Sequence, residues 1–113
     1  MKWYIPDCFW PVADNGEYVS HEAICVLNTN HTPVEVSLTL FFEDREEMSG
    51  FHVSVAPRRT LHIRMDKLSN DQGEVIPRGV PYAAVVECAD QITVQYTRVD
   101  TTQPYLTIAT TIV

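Results

Sequence analysis

An antiparallel β-sandwich of about eight strands, folded as one domain over residues 1–113, is the architecture this chain predicts. Three observations carry it. Apolar residues alternate with period two along several runs, clusters of turn formers separate those runs at short intervals, and no stretch carries a substantial helical pattern. At 113 residues and 45% hydrophobic content, the chain fits a single core that buries roughly two thirds of the surface exposed on unfolding.

Taken in order, Trp3 to Phe9 is a candidate N-terminal strand. The run Ser20-His21-Glu22-Ala23-Ile24-Cys25-Val26-Leu27-Asn28 sets ionisable groups against an uninterrupted apolar stretch, as expected of a strand with a polar end. Asn28 to Pro33 is dense in turn formers and predicts a hairpin into the next strand. There, Val34, Val36, Leu38, Leu40 and Phe42 share one face while Glu35, Ser37, Thr39, Phe41 and Glu43 share the other, a half-buried strand. The acidic stretch Glu43 to Glu47, followed by Ser49-Gly50, reads as a solvated loop, because its carboxylates lack the spacing and central glycine of a calcium loop.

Phe51 to Val55 and Leu61 to Met65 admit two arrangements. A hairpin with the odd loop Pro57-Arg58-Arg59 places Val55 opposite Leu61, Ser54 opposite His62 and His52 opposite Arg64. Alternatively the chain crosses at Pro57 from one sheet to the other, which abolishes those pairs and keeps Thr60, His62 and Arg64 on one polar face. Asp66 to Gly73 predicts a loop with room for one helical turn, and Pro77, Gly79 and Pro81 keep the next stretch irregular. Tyr82 to Cys88, Ile92 to Val99 and Tyr105 to Ile112 complete the strands, with Ala89-Asp90-Gln91 as a hairpin-like connection. Ala23 to Val26 and Tyr82 to Cys88 are apolar on both faces, so a second subunit is a candidate cover. Thr107, Ile108, Thr110, Thr111 and Ile112 suit an oligomer contact or an edge strand.

Composition narrows the function classes. Eight basic residues against fifteen acidic give a net charge of −7, which repels a polyphosphate and disfavours nucleic-acid binding. No stretch approaches the ~20 apolar residues of a membrane helix, and Pro6-Asp7 ends the first apolar run before it resembles a signal peptide, so a cytoplasmic protein is expected. Cys8, Cys25 and Cys88 are scattered with no Cys-x-x-Cys pair, against a disulfide framework or zinc knuckle. The sequon at Asn30-His31-Thr32 is followed by Pro33 and is discounted.

Catalysis is not expected. His21 and Glu22 are adjacent on a strand and point to opposite faces, so Ser20-His21-Glu22 makes no triad. No two of the histidines, His21, His31, His52 and His62, have the spacing of metal ligands on one strand, so no metal or other cofactor is implied. Arg58, Arg59, Arg64, Arg98 and Lys67 concentrate positive charge in an acidic chain. Guanidinium forks fit an anionic or polyhydroxylated ligand, and intramolecular pairs with Glu22, Glu87 or Asp100 are the alternative. Trp3, Tyr4, Phe9 and Trp10 offer either an aromatic stacking platform or core packing.

Several ordered blocks together resemble the soluble sensory rhodopsin transducer family. They are Trp3-Tyr4-Ile5-Pro6-Asp7 with Pro11, Ser20-His21-Glu22 leading to Cys25 and Leu27-Asn28, Pro57 through His62 with Arg64, and Gln95 with Thr97-Arg98 and Asp100. The resemblance implies a β-sandwich assembled as a homotetramer that senses a small polar molecule, sugar-like or a related metabolite. It marks Trp3, Asp7, His21, Glu22, Arg59, His62, Arg64, Gln95, Thr97 and Arg98 as candidate ligand-binding positions. In that scheme Arg59, Arg64 and Arg98 anchor ligand oxygens, His21, Glu22, His62 and Gln95 orient, and Trp3 stacks. Cys8 replaces a usual glycine and Tyr96 a frequent histidine. The rival expectation is a protein-interaction transducer coupled to a membrane photoreceptor or another regulatory partner, with no small ligand.

Overall fold

The computed structural model describes residues 1–12, 14, 19–102 and 107–113. Eight strands lie within them: β1 (Lys2–Cys8), β2 (His21–Asn28), β3 (Val34–Phe42), β4 (Met48–Val55), β5 (Arg59–Arg64), β6 (Tyr82–Cys88), β7 (Thr93–Asp100) and β8 (Thr107–Ile112), with one 3-10 turn at Met65–Lys67. They form two four-stranded antiparallel sheets, in the orders β1-β6-β3-β4 and β5-β2-β7-β8. This is the sandwich the alternation predicts. The expected start of the last strand, at Tyr105, lies outside the described residues.

Alternation is clearest in β3, where Val34, Val36, Leu38 and Leu40 are each at most 1% exposed while Glu35 and Phe41 face solvent. Facing them from the second sheet are Ile24, Val26 and Val94, all buried. Each such side chain contributes about 1.5–3 kcal/mol by leaving water, which fixes the register of both strands, since a one-residue slip would turn the apolar set outward.

Three connections expected or weighed as hairpins are crossings instead. β2 and β3 belong to different sheets, as do β4 and β5, and β6 and β7. Val55 pairs with Val34, and Leu61 with Val26, so the Val55 to Leu61 pairing does not form. The crossing alternative holds, with the polar face of Thr60, His62 and Arg64 kept. The physical cause is at Asn28: its buried side-chain amide reaches the carbonyls of Thr32, Val55 and Ala56 at 3.0–3.2 Å, tying the end of β2 to the end of β4 across the sandwich. Arg58, at a left-handed φ of 57°, donates its N–H to the Asn30 carbonyl at 3.1 Å and turns the chain into β5.

The Glu43 to Glu47 loop is exposed along most of its length, as expected, and the turn at Met65–Lys67 takes the place of the expected helical turn. β1 is irregular at its end, where its pairing to β6 shifts register between Ile5 and Cys8, around Pro6.

Candidate functional site

The outer face of the second sheet gathers side chains from all four of its strands. In β2, Glu22, Ile24 and Val26 point inward, so His21, Ala23 and Cys25 point out. The register aligns Ala23 with Arg64 on one side and Thr97 on the other, and Cys25 with His62 and Gln95. Across β8, Thr110 follows Thr97 and Ile108 follows Val99. Because Ala23 and Cys25 are short, the middle of this face sinks into an open hollow of about 600 Å³ rimmed by His21, His62, Arg64, Gln95, Thr97 and Ile108.

Three of the polar groups on the rim of the hollow are already held by partners. Arg64 donates Nε and Nη2 to the two carboxylate oxygens of Asp66, both at 2.8 Å. Burial opposes the Asp66 charge, but the Arg64 fork holds its carboxyl below the usual range. His21 donates Nδ1 to the Val19 carbonyl at 2.8 Å, and the Thr97 and Thr110 hydroxyls lie 2.8 Å apart.

A second group lies between the sheets. Glu22 is 1% exposed. Its Oε1 accepts the Tyr82 hydroxyl at 2.9 Å, and its Oε2 accepts the Tyr96 hydroxyl and the Phe9 N–H. Burial raises its pKa, with those donors pulling partly in the other direction. Burial, then the nearby Glu22 carboxyl, pushes the Tyr82 and Tyr96 hydroxyls upward and the Cys8 thiol to about 12. Arg98 stacks its guanidinium 5.9 Å from the Tyr96 ring centre and donates Nε to the Tyr96 hydroxyl at 3.3 Å. Burial works against its charge, yet Tyr96, Asp7 and Glu22 together raise its pKa.

Arg98 also reaches the seam of the sandwich, where Asp7 Oδ1 stands 3.5 Å from its Nη2. Here β1 and β8 leave a cleft of about 360 Å³, floored by Tyr96 and Arg98 and walled by Tyr4, Ile5, Ala109 and Thr111 among others.

The candidate residues thus divide. His21, His62, Arg64, Gln95 and Thr97 share the outer hollow; Asp7 and Arg98 line the seam; Glu22 is buried behind Arg98. Trp3 is half-buried against the core. Arg59 is exposed at the far end of β5 from Arg64 and donates Nη1 to the Arg58 carbonyl. The aromatic platform at the N-terminus is not assembled: Trp10 lies under the Arg78 guanidinium, 4.9 Å from its ring centre, while Tyr4 stands apart at the seam. Sequence reasoning missed Tyr82 and Asp66 as partners of Glu22 and Arg64. Tyr96 was missed as well; the signal that finds it is its spacing of two from Val94 and Arg98, which puts all three on the inward face of β7. No group of three or more metal-ligating side chains occurs among the described residues.

A family model described as the Anabaena sensory rhodopsin transducer matches residues 1–113. The chain belongs to the Anabaena sensory rhodopsin transducer family. Among solved structures of similar shape, Thermotoga maritima 1070 superposes with a TM-score of 0.87 at 33% identity, over 98% of this chain and 90% of its own. The structure named Anabaena sensory rhodopsin transducer superposes at 0.77 with 31% identity, over 88% and 87% respectively. No curated protein matches. Membership in the transducer family is that of a signalling domain, and no helix among the described residues is long and apolar enough to cross a membrane.

Proposed function

We propose that this transducer-family chain is a non-catalytic docking domain, coupled to a membrane photoreceptor or another regulatory partner through the outer face of the β5-β2-β7-β8 sheet. The observation that carries the reading is the gathering of His21, His62, Arg64, Gln95 and Thr97 around the small residues Ala23 and Cys25 on one solvent-facing surface. Arg64 and Thr97 are already held, by Asp66 and Thr110, so little ordering of these two side chains is lost when a partner binds. An open, shallow hollow that mixes apolar floor with polar rim matches the contour of a protein surface better than the enclosed pocket of a small ligand. In this reading the chain works in the cytoplasm as a homotetramer.

Calorimetric titration of the purified protein against a detergent-solubilised sensory rhodopsin, in darkness and under illumination, tests the reading. Binding is expected in the wild type, lost in Thr97→Arg and retained in Thr39→Arg, which alters the other sheet. No binding by any form, or equal binding by both variants, would count against it.

A sugar-like or related small metabolite is the second reading. It is favoured by the seam cleft, where Asp7 offers acceptors, Arg98 offers donors and the exposed Tyr4 ring offers a stacking face. A thermal-shift screen against sugars, sugar acids and phosphorylated metabolites is expected to find a stabilising ligand whose effect disappears in Arg98→Ala. The absence of any stabiliser removes this reading and leaves the docking one intact.

A further inference from the structure

The first sheet, β1-β6-β3-β4, also turns one face to solvent, and part of that face is apolar. In β3, Val36, Leu38 and Leu40 point into the core, so Thr39 and Phe41 point out. The register places Tyr4, Val85 and Thr39 in one row across β1, β6 and β3, and sets Ala83 beside Phe41 in the next. Tyr4 is 64% exposed and Phe41 41%. Two exposed aromatic rings with only short side chains between them make a contiguous apolar patch, and such patches mark interaction sites.

At one end the patch drops into a groove of about 280 Å³ over the start of β6. Asp7 lines it from the end of β1 and Glu43 from the end of β3, with Pro6, Phe41, Pro81 and Ala83 among the residues between them. Both carboxylates are accessible: Asp7 is 86% exposed and meets Arg98 only at 3.5 Å, and Glu43 is exposed. Glu43 opens an acidic stretch that continues through Asp44, Glu46 and Glu47, with Arg45 as its one cation. Arg45 also shows what an aromatic ring of the groove accepts. Its guanidinium lies 5.5 Å from the centre of the Phe42 ring, a cation over an aromatic face.

Charge selects the occupant. A second copy, with its net charge of −7, would bring further carboxylates to an acidic groove, and an anionic lipid surface or a nucleic acid would be repelled alike. A guanidinium or ammonium entering between Asp7 and Glu43 meets opposite charge on both sides and aromatic rings beside it. Apolar neighbours on the same segment can then cover Phe41, Val85 and Tyr4.

We infer that the outer face of the β1-β6-β3-β4 sheet is a second docking surface, which takes an extended basic segment of a partner protein, with an arginine or lysine in the groove and apolar side chains along the patch. This face lies on the opposite side of the sandwich from the one proposed above, and it stands if that reading fails. A domain with two such faces can hold two proteins at once.

Fluorescence anisotropy tests this, with the full chain titrated into a labelled peptide in which leucines and serines flank a pair of arginines, and into its counterpart with a pair of glutamates. The basic peptide is expected to bind and the acidic one is not. Phe41→Ala and Glu43→Lys, both at exposed positions, are each expected to weaken binding about tenfold or more. Glu35→Lys makes the same change of charge at the other end of β3 and is expected to leave affinity within about twofold. No binding of the basic peptide overturns the inference, and so does equal weakening by Glu43→Lys and Glu35→Lys, which is attraction to net charge alone. If Phe41→Ala lowers the sedimenting mass of the protein and leaves peptide affinity unchanged, the face belongs to a second copy and the inference fails. Thr97→Arg separates the two docking faces: retained peptide binding supports the present one whether or not a receptor binds the other, and loss of the peptide moves its site to the second sheet and overturns the inference.

Discussion

Tyr82 and Glu22 bridge the two sheets: the Tyr82 hydroxyl, at the start of β6, donates to Glu22 Oε1, at the start of β2, at 2.9 Å. A carboxylate this buried is tolerated only when its oxygens are filled, and here Tyr96 and the Phe9 backbone fill the second. Because Arg98 holds the Tyr96 hydroxyl from the seam side, the buried acid, the cleft and the strand next to β8 form one connected network. A change at the seam is therefore felt between the sheets.

The pH dependence of stability follows from this burial. Glu22 has a folded pKa raised above its unfolded value of about 4.3, so between the two values the folded chain keeps a proton that the unfolded chain releases. Its contribution is fully present below the unfolded pKa and is lost as pH rises through the folded one. Glu22→Gln removes the titration, so its melting temperature relative to wild type should climb as pH rises from about 4 to about 7. A difference that stays flat with pH contradicts the argument. Tyr82→Phe removes a donor to the same carboxyl and is expected to cost about 1–3 kcal/mol in urea unfolding.

Asn28 decides the topology at the first crossing. Its amide serves carbonyls from the β2 to β3 loop and from the end of β4, while its Oδ1 accepts from the Asn30 backbone and side chain. Asn28→Ala leaves buried carbonyls without donors and should destabilise by about 2–4 kcal/mol, since several bonds of one network go together. Asn28→Asp keeps the acceptor and loses the donors, so chemical denaturation should place it near the alanine variant rather than near wild type.

That same residue marks where sequence reading stops. The alternation of Val34 through Leu40 is local and directional, and it identifies a half-buried strand without reference to the rest of the chain. Asn28 to Pro33 has a composition equally suited to a hairpin and to a crossing, and the choice is made by carbonyls of Val55 and Ala56 that lie far along the chain. The candidate site divides for a related reason. Glu22 and Arg98 pair with inward-facing apolar neighbours on their strands, whereas His21, His62 and Thr97 alternate with them and face out. The family blocks name both sets together; only the pleat separates them. Asp66 holds Arg64 from beyond the strand's end, where no periodicity points to it.

The three cysteines should differ sharply toward an alkylating reagent. Cys8 is buried, with its thiol raised to about 12, and Cys88 is buried as well. Cys25 is half-buried on the outer hollow, its pKa raised by that burial. Iodoacetamide at about pH 8, where an ordinary thiol begins to ionise, should modify Cys25 slowly and alone until the protein unfolds, as read by peptide mass spectrometry. If the hollow is the docking face, a bound partner should slow Cys25 further. Early labelling of Cys8 would contradict the packing of β1 against β6.

Gly79 and Gly73 have nearly the same backbone, φ of 75° and 77°, and opposite surroundings. Around Gly73 nothing lies within 4 Å of where a Cβ would stand, but at Gly79 that atom would come 2.2 Å from Val12 Cγ1. The Gly79 N–H is also bound to the Trp10 carbonyl at 2.7 Å, so the loop cannot back away without losing its hold on the N-terminal segment, which Arg78 clamps further through Pro11 and Asp14. Alanine at either glycine carries the cost of a left-handed conformation, about 1–2 kcal/mol. Overlap with the stiff Val12 side chain should make Gly79→Ala worse than Gly73→Ala by about 1–3 kcal/mol. Val12→Ala in the Gly79→Ala background should recover much of that difference, since it removes the obstructing methyl while leaving φ unchanged. Equal melting temperatures for the two single variants would mean that the segment from Trp10 to Val12 does not pack on Gly79.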